Sequence, residues 1–153
     1  MSGDGARSKG GRFNPVGVPA LYLARTIEGC LLEQAHGFPL RFEPLIVCTY
    51  DLDVRGILDL GTDAARAVAN VQLSELQCPW ADDMAAGREP ASWKLAARLI
   101  GEGASGILVP SFARGARPDM QNVVLWKWGP ELPQRVIVHD PSGRLPKNQL
   151  SWT

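Results

Sequence analysis

The chain has 153 residues, a length at which one domain can bury a core without disulfides or metals. Its 16 basic and 16 acidic residues cancel, so no overall field attracts nucleic acid or an anionic membrane. No apolar run has the pattern of a signal peptide or a membrane span, and we therefore expect a soluble, cytoplasmic protein that binds neither membranes nor nucleic acid directly.

The first half of the sequence predicts strands and helices behind a polar N-terminal loop. Runs of β-branched and apolar residues predict the strands, and capping residues, glycines and prolines set the helix limits. In chain order we expect a strand at 19–24, a helix over 25–36 that ends at Gly37 and Pro39, a buried strand at 45–50, a short strand at 56–60, and a helix over 64–71 capped by Thr62-Asp63.

The second half predicts one more helix and then mainly strands. Residues 78–88 have no regular pattern and are expected to be irregular. After them we expect a helix over 90–100 that Gly101 or Gly103 ends, and strands at 106–110, 123–128 and 135–139 between turns that contain glycine and proline. This order predicts a single domain of mixed α and β structure without repeats or an internal linker.

Standard catalytic motifs are absent or misplaced. Residues 101–106 (GEGASG) match the dinucleotide-binding fingerprint, but they follow a predicted helix where that fingerprint follows a strand, so we interpret them as a helix stop. Ser111, His139 and Asp140 make a poor nucleophilic triad, because no Gly-x-Ser-x-Gly turn surrounds the serine. A P-loop and a His-Glu-x-x-His motif are also missing from the sequence.

Cysteines and tryptophans are interpreted structurally. Three separated cysteines predict reduced, buried thiols, and with two histidines and no Cys-x-x-Cys pair they argue against a zinc site. The five tryptophans are expected to be core or interface anchors. The residues concerned are Cys30, Cys48, Cys78, Trp80, Trp93, Trp126, Trp128 and Trp152.

Four segments in order carry a family resemblance. They are residues 10–15 (GGRFNP), residues 21–24 (LYLA), the pair Leu32-Glu33, and residues 106–111 (GILVPS). Together they resemble the successive signatures of the RES domain family, which is named for an arginine, a glutamate and a serine. The resemblance extends from about residue 2 to the strand 123–125. It is more specific than any single motif, because order and approximate spacing are both kept.

The resemblance implies a fold and an activity. It implies an α+β domain with a central mixed or antiparallel sheet flanked by helices, similar to ADP-ribosyltransferase toxins. Such domains are typically toxins that consume NAD and are encoded beside an Xre-type helix-turn-helix antitoxin. The expected acceptor of ADP-ribose is a host protein, phosphate or water, with a slight preference for protein transfer or simple cleavage. No metal is expected, and homo-oligomerisation stays open.

By position, the family's key residues correspond to Arg12, Tyr22, Glu33 and Ser111. Asn122 is a weaker candidate, and Gly11 and Asn14 complete the expected binding set. Arg12 would bind phosphate oxygens in pairs, and the amides of Gly10 and Gly11 would approach the same anion. Glu33 would hold the ribose 2′-hydroxyl and stabilise positive charge on the ribose ring, while the Tyr22 ring would face the nicotinamide. Ser111 would add a hydrogen-bonding group at a strand end.

Each of these residues also has an ordinary structural interpretation. On the helix over 25–36 the apolar side lies away from Glu33, and Glu28 looks more buried, so pattern alone makes Glu33 a solvated carboxylate. Arg12 would be a surface charge and Tyr22 a core residue with its hydroxyl at the rim. On this alternative the domain is a binding module for a nucleotide or a partner, without catalysis.

One departure from the family concerns the N-terminal side. Family members usually carry an upstream strand with a Tyr-Arg pair, and the sequence contains no counterpart of it. Two explanations stay open. The protein works without that strand, or the sequence begins at an internal methionine and a phosphate-binding arginine precedes it.

Overall fold

The structure is a computed structural model, and it describes residues 2–35 and 46–145. Within these residues the helices are α1 (Asp4–Lys9), α2 (Ile27–Ala35), α3 (Asp63–Val68), α4 (Leu73–Leu76), α5 (Trp80–Ala85) and α6 (Ala91–Gly101). The strands are β1 (Leu21–Ala24), β2 (Tyr50–Val54), β3 (Ile57–Asp59), β4 (Gly106–Pro110), β5 (Gln121–Leu125) and β6 (Gln134–Val138).

The strands form a mixed four-stranded sheet and a separate antiparallel pair. The larger sheet has the order β1-β5-β4-β3, in which β5 is antiparallel to both neighbours and β3 is parallel to β4. Strands β2 and β6 form the antiparallel pair. In register, Asn122 at the start of β5 lies between Ala24 at the end of β1 and Val109 near the end of β4. The exits of β1 and β4 therefore meet the entry of β5 at one end of the sheet.

The core lies between α6 and the middle of the larger sheet. Leu95, Ala96 and Leu99 recur at helical spacing on α6 and are all at most 2% exposed. They belong to one apolar cluster with Ile107 of β4 and Val124 of β5. Removing this much apolar surface from water is the main contribution that holds α6 onto the sheet.

Several sequence-based predictions are confirmed. The chain has the expected α+β architecture with a mixed sheet flanked by helices. The helix expected over 90–100 is α6, and the strand expected at 106–110 is β4 without any shift. Thr62 caps α3, since its side chain accepts a hydrogen bond from the Ala65 backbone N–H. Gly103 follows α6 with a positive φ of 98°, so the glycine-rich segment ends a helix as expected.

The strand expected at 45–50 is wrong in the part that the structure describes. Residues 46–49 have no regular structure, and the strand β2 is Tyr50–Val54. The apolar side chains of Ile46 and Val47 are 42% and 45% exposed, so this run is not a buried strand. The prediction relied on apolar and β-branched composition, which favours residues 45–50. The observed strand β2 instead alternates Tyr, Asp, Leu, Asp and Val, and it lies in an exposed two-stranded pair.

Other boundaries also differ from expectation. The segment 78–88 contains α5, and the short helices α1 and α4 were not predicted, because helices of four to six residues have too few turns for a periodic signal. Strand β5 begins two residues before the expected 123 and ends at Leu125. Cys78 is buried, but the free thiols Cys30 and Cys48 are only half-buried. Gly37, Pro39 and Trp152 lie outside the described residues.

Among residues 2–35 and 46–145, no helix combines the length and the apolar character needed to cross a bilayer.

Candidate active site

The segment 10–15 is held against the core through its backbone. The carbonyl oxygens of three consecutive residues each accept a hydrogen bond from a different side chain. These pairs are Gly11 with Trp93 Nε1, Arg12 with Ser92 Oγ, and Phe13 with Trp126 Nε1. The Phe13 ring is 2% exposed and belongs to the core cluster. Because the backbone is fixed at three successive points, the direction of the Arg12 side chain is set by α6 and the end of β5.

Tyr22 is bound to this segment through its hydroxyl. The hydroxyl donates to Asn14 Oδ1 at 2.7 Å and accepts from the Phe13 backbone N–H at 2.9 Å. A Cβ on Gly11 would lie 2.7 Å from the hydroxyl oxygen, so only glycine permits this approach. Burial raises the pKa of Tyr22, and the Phe13 N–H and the Arg12 charge oppose that rise. The hydroxyl is thus a fixed, neutral group, while the side chain as a whole keeps 39% exposure.

Arg12 is half-buried and fixed on one side. Its Nη1 donates to the carbonyl oxygens of Leu76, the last residue of α4, at 3.2 Å and of Cys78 at 2.9 Å. Its Nε and Nη2 have no hydrogen-bond partner among the described residues, which leaves one two-donor edge of the guanidinium free. Burial lowers the pKa of Arg12, and the negative charge of Glu33 is among the groups that raise it.

Glu33 meets Ser111 and Asn122 where the strands converge. Its Oε1 accepts hydrogen bonds from Ser111 Oγ at 2.7 Å and from Asn122 Nδ2 at 2.6 Å. Its Oε2 has no partner in the part of the chain that the structure describes. The Thr26 hydroxyl accepts from the Gly29 N–H and so fixes the first turn of α2, the helix that carries Glu33. The carboxylate is therefore held by one oxygen and open at the other.

Asn122 has a polar atom without a partner. Its Oδ1 is buried and accepts no hydrogen bond from the described residues. Buried amide oxygens are usually paired, so an unpaired one beside the Glu33 carboxylate calls for an explanation.

The segment of residues 111–119, called the 111–119 loop below, joins the two halves of the site. The Phe112 ring covers the Arg12 guanidinium, whose central carbon is 5.2 Å from the ring centroid. Arg117 forms an ion pair with Glu28 of α2 at 2.8 Å. Ser111 contacts Glu33, so the loop touches both α2 and Arg12.

The seven residues expected in the site lie in two adjoining groups. Gly11, Arg12, Asn14 and Tyr22 form one group around the segment 10–15, and Glu33, Ser111 and Asn122 form the other. The Phe112 contact and the Arg12–Glu33 attraction connect the two groups.

Two expected contacts with an anion are not available in this structure. The N–H groups of Gly10 and Gly11 already donate to the carbonyls of Ala6 and Asn14. Asn14 is 0% exposed, and its amide nitrogen donates to three backbone carbonyls. Gly11 and Asn14 therefore pack against the Tyr22 hydroxyl and support it. Either residue could contact a ligand only if its hydrogen bonds to the backbone opened.

Sequence reasoning did not single out Phe112, Ser92 or Trp93 as parts of the site. Phe112 follows Ser111 directly, which is a sequence signal only once Ser111 is known to approach Glu33. Ser92 and Trp93 occupy the first turn of α6, and nothing in the sequence relates them to residues 80 positions earlier. Such long-range backbone contacts arise from tertiary packing and leave no local pattern.

Two surface clefts of about 670 and 660 Å³ lie mainly outside these groups. Of the expected residues, only Tyr22 borders one of them, the cleft between β1 and β2. Within residues 2–35 and 46–145 no three His, Cys, Asp or Glu side chains gather as a metal site would require.

Comparison with known proteins gives a family, curated relatives and a solved structure. The model of the RES domain matches residues 1–148. NAD(+) phosphorylase MbcT from Mycobacterium tuberculosis strain H37Rv is 29% identical in an alignment 131 residues long, which covers 77% of this chain and 69% of that protein. The protein of the same name from Mycobacterium bovis has the same identity and coverage.

The structural match is to the crystal structure of the M. tuberculosis MbcT-MbcA toxin-antitoxin complex. It has a TM-score of 0.56 at 23% identity, and it covers 92% of this chain and 74% of the matched chain. At this identity the match establishes a shared fold.

Proposed function

The chain belongs to the RES domain family, and we propose on that basis that it is an NAD-degrading enzyme that acts as the toxin of a toxin–antitoxin pair. The curated relatives are NAD(+) phosphorylases, and the structural neighbour is a toxin–antitoxin complex. We further propose that residues 1–153 form one RES domain, since the family match extends over residues 1–148.

The relatives change the expected acceptor of ADP-ribose. The sequence slightly favoured transfer to a protein or simple cleavage, whereas the relatives' name favours inorganic phosphate. In that reaction the bond from nicotinamide nitrogen to ribose C1 breaks, and nicotinamide leaves with the electron pair. A phosphate oxygen then bonds to C1, which gives ADP-ribose-1″-phosphate.

The observation that best supports this proposal is the arrangement of the Glu33 carboxylate. Hydrogen bonds from Ser111 and Asn122 hold Oε1, and Oε2 has no partner within residues 2–35 and 46–145. A carboxylate in this arrangement can accept a hydrogen bond from a ribose hydroxyl and stabilise the positive charge that develops on the ring. Because the groups are fixed before the substrate binds, little reorganisation is needed in the transition state.

Arg12 supplies a matching site for the pyrophosphate. Its free edge, formed by Nε and Nη2, has the geometry that binds two oxygens of one phosphate. The half-buried position strengthens this attraction, because less water competes for the guanidinium.

Tyr22 and Asn122 complete the proposed substrate contacts. The Tyr22 hydroxyl is used internally, so its exposed ring is the surface that we assign to the nicotinamide. We assign the unpaired Asn122 Oδ1 to a second sugar hydroxyl, which would satisfy this buried polar atom once the side chains around it move to admit the ligand.

The partner is proposed to be a cognate antitoxin. The neighbouring structure contains a toxin with its antitoxin, which supports the same pairing here. From the family we assign the antitoxin to the Xre-type helix-turn-helix class, with a segment that blocks the NAD site in the cytoplasm. Phosphate as the acceptor makes a protein target for ADP-ribose unnecessary.

Expression in a bacterial host without antitoxin tests this proposal. We expect the NAD content of the cells to fall soon after induction and growth to stop. Cells that express the Glu33→Gln variant to the same level should keep their NAD content and grow. Normal growth with constant NAD in cells that contain folded wild-type protein would contradict the proposal.

A further inference from the structure

Phe112 has a position that its sequence context did not indicate. It is a partly buried residue packed against the core cluster, and its ring lies 5.2 Å from the Arg12 guanidinium carbon. This distance is within the range of a cation–π interaction. The aromatic residue that follows Arg12 directly, Phe13, is instead 2% exposed and part of the core.

The hydrogen bonds of Arg12 do not fix the orientation of its guanidinium plane, and the Phe112 ring can do so. Nη1 is held by two backbone carbonyls, which fix the position of one nitrogen and still allow the guanidinium plane to tilt. A ring stacked against the guanidinium restricts that tilt and replaces part of the hydration lost by burial. The Nε–Nη2 edge then has one direction in which to present its two donors.

The position of Phe112 in the chain couples this effect to the other half of the site. Phe112 follows Ser111, which donates to Glu33, and the Ala113 N–H donates back to Ser111 Oγ at 3.3 Å. One short stretch of the 111–119 loop thus contacts the carboxylate and the guanidinium together.

We propose that Phe112 is a positioning residue, which holds the free edge of the Arg12 guanidinium toward the pyrophosphate of NAD through a cation–π contact. This inference rests on the proposed function. Phe112 is expected to contribute to NAD affinity and to take no part in the chemical step.

The test compares NAD affinity and turnover in Phe112 variants. In Phe112→Leu, which keeps an apolar side chain without a π-face, the Kd for NAD by calorimetry and the KM should rise about two- to thirtyfold, with kcat changed much less. Phe112→Tyr keeps the π-face and should stay within about twofold of wild type. As a control, Ile137→Ala shortens an exposed apolar side chain on β6, which lines neither the site nor the cleft that Tyr22 borders, and should leave the Kd unchanged.

Repeating the Phe112 substitution in an Arg12 variant distinguishes a cation–π contact from simple packing. In Arg12→Gln there is no cation to hold, so adding Phe112→Leu should not raise the Kd further. Equal losses in Phe112→Tyr and Phe112→Leu would overturn the inference, and so would additive losses in the double variant.

If the wild type binds NAD without releasing nicotinamide, the proposed activity fails while the affinity series still tests Phe112. If the wild type does not bind NAD, both fail.

Discussion

The Glu33 carboxylate illustrates how tertiary contacts decide the role of a single residue. On the helix pattern Glu28 looked more buried than Glu33, and the structure reverses this order. The Glu28 side chain is 67% exposed and pairs with Arg117, whereas Glu33 is half-buried and accepts from Ser111 and Asn122. The two glutamates of α2 are therefore a natural pair for comparison.

We expect Glu33→Gln to lower the rate of nicotinamide release by about two to four orders of magnitude. Glutamine keeps an oxygen for Ser111 and Asn122 but removes the charge that would stabilise the transition state. Steady-state assays with purified protein measure this rate, and the thermal unfolding midpoint checks that the fold is kept. The same substitution at Glu28 should leave the rate within about threefold of wild type, because exposed ion pairs contribute little. Equal rates in Glu33→Gln and wild type would remove Glu33 from the chemistry.

Tyr22 gives a prediction about pH and stability. Its pKa in the folded protein is raised above the ordinary value of 10.0, mainly by burial. The unfolded chain therefore releases this proton at lower pH than the folded chain does, and the free energy of unfolding falls as pH rises above about 10. Tyr22→Phe loses two hydrogen bonds but is free of this alkaline loss.

The measurement is urea unfolding of wild type and Tyr22→Phe across pH. Wild type should be the more stable at neutral pH, with a constant difference between about pH 6 and pH 8. The difference should shrink between about pH 10 and pH 11. A difference that stays constant to pH 11 would show that the Tyr22 hydroxyl is not protected from solvent.

At the scale of the elements, the larger sheet depends on a close approach at Gly106. Gly106 lies opposite Leu125 in the β4–β5 register, and a Cβ there would collide with the Val124 carbonyl oxygen and come 2.8 Å from Leu125 Cδ2. We expect Gly106→Ala to lower the free energy of unfolding by about 1–3 kcal/mol, because backbone must move to admit the methyl group.

Gly101→Ala is the matched control for Gly106→Ala. Nothing lies within 4 Å of a Cβ at Gly101, the last residue of α6, and alanine favours a helix by up to about 1 kcal/mol over glycine. Urea unfolding should find this variant as stable as wild type or slightly more stable. Equal effects of the two substitutions would mean that β4 and β5 do not pack as closely as described.

The sequence predicted those elements whose signals are local. Helix α6 has strong periodicity and a glycine stop, α3 has its Thr62 cap, and β4 is a short apolar run between turns. Strand β2 was misplaced because its pairing with β6, a contact distant in sequence, selects a polar alternating stretch over the apolar run before it.

The site could be predicted only in part, because its residues come together through contacts that are distant in sequence. The family resemblance named Arg12, Tyr22, Glu33 and Ser111, since it encodes long-range proximity that no periodicity contains. The proximity of Phe112 to Arg12 depends on how the 111–119 loop folds, and no local pattern reports it. The sequence likewise does not show that the N–H groups of Gly10 and Gly11 already donate to backbone carbonyls and are unavailable to an anion.

At the scale of the whole molecule, the sheet brings distant segments to one place. The exits of β1 and β4 and the entry of β5 meet beside α2, and this convergence gathers Glu33, Ser111 and Asn122. The segment 10–15 adds Arg12 from the other side, held by α6. A site assembled from five separate parts of the chain is rigid only when the domain is folded, so its activity should report on global folding.

Product analysis distinguishes the proposed phosphorolysis of NAD from transfer of ADP-ribose to protein or to water. Purified protein is incubated with adenylate-labelled NAD and cell extract, with and without inorganic phosphate, and Glu33→Gln serves as the inactive control. Phosphorolysis predicts nicotinamide release that requires phosphate, with the label in ADP-ribose-1″-phosphate and none on protein. Label on a protein band, free ADP-ribose as the main product, or intact NAD in the presence of phosphate would contradict it.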